Sequence, residues 1–90
     1  MARIHDRLFR INEELARLVE EERLTGAELE VLQHLDDDAR RDAAVGGPLE
    51  REDARESAGD VLRMESTLRS VRERRGRLEA KRDRLLARLR

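Results

Sequence analysis

The chain has 90 residues, 46% of them charged, with one Phe, one Pro, no Trp or Tyr and no Cys. That leaves room for one domain and no large globular core, and a composition rich in Ala, Glu, Arg and Leu is that of long helices and coiled coils. Twenty basic residues against twenty-one acidic ones give a formal net charge of −1, and the lack of Cys excludes disulfides and thiolate chemistry, compatible with a cytoplasmic home.

Residues 3–24 read as a strong helix. Ile4, Leu8, Ile11, Leu15 and Leu18 recur at alternating steps of four and three, which is a heptad seam. On the outside, Glu13 and Glu14 precede Arg17 by four and three residues, a spacing that supports a helix. Charges at Arg3, Asp6 and Arg7 with no apolar run behind them predict no signal peptide. Nothing in the chain approaches the ~20 apolar residues of a membrane span.

Thr25-Gly26-Ala27-Glu28 has the form of a capping box. A break here would start a new helix and give a three-helix arrangement. The seam, however, keeps its phase through Glu22, Thr25, Leu29, Leu32, Asp36 and Ala39, which favours one continuous helix. Asp36-Asp37-Asp38 is a poor helix-forming run, so fraying is expected from about there to Pro48.

Gly46-Gly47-Pro48 is the one place where strong helix breakers stand together. Gly46 suits the left-handed position that ends a helix, and Pro48 suits the first turn of the next. The second arm, 49–89, carries its own seam at Ala54, Ser57, Val61, Met64, Leu68, Val71, Arg75, Leu78, Arg82, Leu85 and Leu89. Gly59 and Gly76 are weak points within it.

Doubling the chain back at the diglycine sets every seam position of one arm opposite a seam position of the other. Ile4 meets Leu89, Leu8 meets Leu85, Leu15 meets Leu78, Leu29 meets Met64 and Ala39 meets Ala54. The predicted fold is therefore all-α: an antiparallel two-helix coiled-coil hairpin, one domain over 1–90, with arms 3–45 and 49–89 around a turn at 46–48. The mid-seam is polar, with Ile11 opposite Arg82, Leu18 opposite Arg75 and Glu22 opposite Val71, and Glu22 within reach of Arg75 one turn away. Polar seam positions cost stability and fix register, and a lone hairpin of this size is marginal. Apolar residues off the seam suggest a second interface. Leu24, Val31 and Leu35 line one flank, and Phe9, Val19, Leu62 and Leu86 line the other. Together they predict a homodimer in the form of a four-helix bundle.

Charge is unevenly laid out. Residues 69–90 hold ten basic residues against three acids, and residues 20–60 hold fourteen acids against five Arg. A basic base (Arg69, Arg72, Arg74, Arg77, Lys81, Arg84, Arg88) and an acidic tip (Asp36, Asp37, Asp38, Glu50, Glu52, Asp53) follow from the hairpin. His5 and His34 are far apart and off the seam, where solvation is the ordinary state. No metal-ligand spacing, phosphate loop or nucleophile–base arrangement is present, so neither a cofactor nor an enzyme activity is expected. Asp53-Ala54-Arg55-Glu56 resembles an acid-Arg-Glu stretch of the all-helical chorismate mutases, whose other signature residues have no counterpart here.

In outline, the slender hairpin with Asp36–Asp38 and Asp53 near its turn resembles the coiled-coil hairpins of the Gre and DksA/TraR families. These enter the secondary channel of bacterial RNA polymerase with acidic tip residues. The resemblance implies a bacterial transcription regulator whose tip carboxylates approach the polymerase magnesium; the Gre tip signature, the zinc cysteines and any second domain are absent. Three functional expectations result. The first is a non-enzymatic interaction or scaffold module with protein partners, a second copy among them. The second is the polymerase regulator just described. The third is a nucleic-acid-associated protein using the basic arm through phosphate contacts, without the aromatic platform that base stacking needs. No membrane partner is expected.

Overall fold

The structure is a computed structural model and describes residues 2–90. It is an all-α helical hairpin of two helices, α1 over Ala2–Val45 and α2 over Pro48–Ala87, with no strand among the described residues. α1 runs unbroken through Thr25-Gly26, as the unbroken seam phase requires. It also runs through Asp36–Asp38 to Val45, so the expected fraying is not seen. The physical reason stands three and four residues on. Arg40 pairs with Asp36 at 2.7 Å, and Arg41 pairs with Asp38. These i,i+4 and i,i+3 contacts offset the low helix propensity of the aspartates. α2 ends at Ala87, after which Arg88, Leu89 and Arg90 donate backbone bonds three residues back, a tightened last turn.

The link is only Gly46-Gly47. Pro48 already belongs to α2, in the first helical position where its missing N–H costs nothing. The carbonyl of Gly47 accepts the first helical bond, from the Arg51 N–H at 3.2 Å, and the Gly47 N–H donates to Glu50 Oε2 at 2.8 Å. Glu50 thus caps the start of α2 from its own first turn, where the helix dipole also favours a carboxylate. The expectation of a left-handed Gly46 is corrected, because no glycine has a positive φ. Glycine is required there for space. A Cβ on Gly46 would lie 2.8 Å from the Asp42 carbonyl oxygen and 2.6 Å from Glu50 Cγ.

Every seam residue from Ile4 to Ala39, and from Ala54 to Leu89, is buried or half-buried. The chain divides into two compact units, Met1–Arg23 with Arg69–Arg90, and Leu24–Leu68. In the first, Leu8, Ile11, Leu15 and Leu85 form a buried cluster, with Ile4, Leu78 and Leu89 packed against it. Leu18 and Val71 are each 2% exposed. Each buried Leu contributes roughly 1.5–3 kcal/mol of apolar transfer. The polar seam is bridged inside this unit: Glu22 pairs ionically with Arg75 at 2.7 Å and accepts a hydrogen bond from Arg72 Nε at 3.0 Å. Arg75 Nε lies 3.1 Å from Glu79 Oε1 without donating a hydrogen bond. On the surface, the hydrogen bond and charge of Arg23 hold the Glu20 carboxyl below its usual range.

The second unit is packed differently. Among the described residues Leu68 is its one buried apolar side chain, and Thr25 and Asp36 are its buried polar ones. Asp36 is 4% exposed; its Oδ2 pairs with Arg40, and its Oδ1 has no hydrogen-bond partner among the described residues. No helix is long and apolar enough to cross a membrane among the described residues.

Candidate functional site

Helical spacing gathers cations along one face of the first unit. On α2, Arg74, Arg77, Lys81 and Arg84 follow one another at steps of three, four and three, so they share a face. On α1, Arg7, Arg10 and Glu14 repeat at three and four. Each of these seven residues immediately precedes a seam position, and their side chains therefore stand along one rim of the helix–helix contact. They enclose two adjoining open depressions. One of about 340 Å³ is lined by Glu14, Arg74, Arg77, Leu78, Lys81 and Arg84. The other, of about 290 Å³, is lined by Arg7, Arg10, Ile11, Glu14, Leu78 and Lys81. Glu14, Leu78 and Lys81 are common to both, so the two are stretches of one groove with an apolar floor and basic walls.

The groove is electrostatically uncompensated. Its single carboxylate, Glu14, stands 3.9 Å from Arg74. Among the described residues, Arg7, Arg10, Arg77, Lys81 and Arg84 form no ion pair. Like charges held this close repel, and the repulsion is relieved by an anion.

Of the basic residues expected to act together, Arg74, Arg77, Lys81 and Arg84 meet at the groove. Arg72 is engaged by Glu22. Arg69 and Arg88 are exposed and line neither depression. Sequence reading names no α1 residue in the basic base. The signal was available, because Arg7, Arg10 and Glu14 keep the same offset from their seam as Arg74 and Arg77 do from theirs.

The acidic residues do not converge in the same way. Asp36 is buried, and Glu50 is spent on the Gly47 cap. Asp38 is paired with Arg41, while Asp37, Glu52 and Asp53 face solvent. Among the described residues no group of three or more acidic or histidine side chains is arranged to hold a metal ion. The off-seam apolar residues are all exposed: Phe9 and Leu86 in the first unit, and Leu24, Val31, Leu35 and Leu62 in the second. Val19 of the first unit is exposed as well, and Val45 and Leu49 join them, Val45 at 90% exposure. Comparison with protein-family models, with curated proteins and with solved structures gives no match to this chain.

Proposed function

We propose that this protein is a non-enzymatic interaction module, a coiled-coil hairpin with a basic and an acidic half, working as a homodimer. The observation that carries the reading is the groove of Arg7, Arg10, Arg77, Lys81 and Arg84, whose charges have no ion-pair partner among the described residues. A protein that sets out cations without internal counter-charges is built to meet an external anion, and such fields set on-rate and specificity. The dimer rests on the second unit. Leu24, Val31 and Leu35 are each more than half exposed on the flank of a unit with one buried apolar side chain among the described residues. A second copy covering that flank would form a four-helix bundle and supply the burial that one hairpin lacks.

The test is mass in solution across protein concentration. The expected result is twice the 10.5 kDa of one chain, falling to a single chain when Leu24, Val31 and Leu35 are all replaced by Gln. A single-chain mass at every concentration would remove the dimer from the proposal.

A further inference from the structure

We infer that the basic groove of the first unit binds the phosphate backbone of a nucleic acid duplex, without reading its sequence. This rests on the reading of the chain as an interaction module and names the partner chemistry of one of its surfaces.

Three features select this ligand. The first is length. From Arg74 to Arg84 the stripe on α2 covers about 15 Å at 1.5 Å per residue, and Arg7 and Arg10 add cations from α1. A single phosphate would engage two or three of these side chains and leave the rest repelling one another. A duplex strand, with a phosphate every ~3.4 Å of axis, meets all of them.

The second is side-chain type. Arg7, Arg10, Arg74, Arg77 and Arg84 are guanidinium groups, with Lys81 as the one ammonium. The planar fork matches two phosphate oxygens at once and gives up its hydration readily. The third is the absence of any aromatic residue from the groove lining. Bases would find no stacking platform, which favours a duplex backbone over an unstacked single strand.

The rival occupant is the acidic half of a second copy. Four of those acids are already engaged: Asp36 with Arg40, Asp38 with Arg41, Asp60 with Arg63, and Glu50 with the Gly47 N–H. Those four carboxylates are thus engaged where they stand, whereas Arg7, Arg10, Arg77, Lys81 and Arg84 have no ion-pair partner among the described residues.

The experiment is fluorescence anisotropy of a labelled DNA duplex of arbitrary sequence, titrated with the full chain at several salt concentrations. With about five phosphate contacts, affinity is expected to fall roughly 10²–10³-fold between ~50 and ~200 mM salt, and scrambling the sequence should leave it unchanged. Arg77→Glu with Lys81→Glu should weaken binding at least ~10-fold and flatten the salt slope by about one unit per contact removed. Both side chains are exposed and unpaired among the described residues, so circular dichroism should show the helices intact. Arg55→Glu, on an exposed residue of the other unit, should weaken binding less than ~2-fold under the same counterion logic.

No anisotropy change at the lowest salt would overturn the inference, as would equal losses in the two variants. Competition by polyglutamate as effective as by duplex at equal charge would assign the groove to an acidic protein instead. A groove-dependent rise in mass at low salt without DNA would assign it to a second copy. These readouts are separate from the mass measurement on the Leu24, Val31 and Leu35 variant, so the groove and the dimer fail independently.

Discussion

Gly46 and Gly47 stand side by side and are held by different constraints. Gly46 is closed in by the Asp42 carbonyl and the Glu50 side chain, both under 3 Å from where a Cβ would lie. The carbonyl belongs to the last turn of α1 and cannot swing aside as a flexible side chain can. At Gly47 a Cβ would find only Glu50 Oε2, at 3.6 Å, which is ordinary contact. Neither residue has a positive φ, so left-handed strain enters neither comparison. Gly46→Ala is expected to destabilise by about 1–3 kcal/mol, through the displaced backbone and the disturbed Glu50 cap. Gly47→Ala should stay within about 1 kcal/mol, since reduced freedom of the unfolded chain offsets its poorer capping. Thermal melts separate the two, because 1 kcal/mol shifts Tm by about 4–8 °C in a domain of this size. Equal losses at both positions would show that backbone freedom, not space, is what the diglycine supplies.

At the scale of the element, α1 and α2 were legible because their seams use the 3.5-residue period without a slip. Each polar residue that the period placed on the seam, from Glu22 and Thr25 to Arg75 and Arg82, is buried or half-buried. What local reading could not supply came from neighbours. The rescue of Asp36–Asp38 depends on Arg40 and Arg41 following at the right spacing, and propensity alone does not count such pairs. The conformation of Gly46 depends on how the first turn of α2 folds Glu50 back over it, which no property of Gly46 announces. The groove was legible as a stripe on α2 and illegible as a site, since its other wall is on α1. The two units also differ in burial, with six of the seven buried apolar side chains among the described residues in the first. Local opening follows buried contact. Amide exchange is therefore expected to be slower at Ile11, Leu15 and Leu85 than at Leu29, Leu32 and Val61. If a second copy covers the Leu24, Val31 and Leu35 flank, protection at the latter three rises with protein concentration. Exchange that is uniform along both helices would contradict the difference in packing.

For the whole molecule, the question is why a marginal hairpin keeps a carboxylate in its seam. Asp36 loses its water, pairs one oxygen with an Arg40 whose own side chain is 67% exposed, and leaves the other oxygen without a hydrogen bond. A buried acceptor left unsatisfied costs about 1–3 kcal/mol, and a partner in solvent recovers little of that. Asp36→Leu removes this cost and adds apolar area opposite Ser57, so stability is expected to rise by roughly 1–3 kcal/mol, with a corresponding gain in Tm. Polar seam positions persist where they fix register and partner number, as a lone buried polar residue does in helical assemblies. A hairpin with Leu at this position would keep its helices and gain heat resistance. It would also lose the penalty that now opposes shifted pairings and additional strands. The expected outcome of Asp36→Leu is thus two-sided: a higher melting temperature together with a broader set of masses in solution than the native chain shows. A higher Tm with one unchanged mass would mean that Asp36 costs stability without specifying assembly. A lower Tm would mean that the Asp36–Arg40 pair holds α1 through the aspartate run more firmly than its exposure suggests.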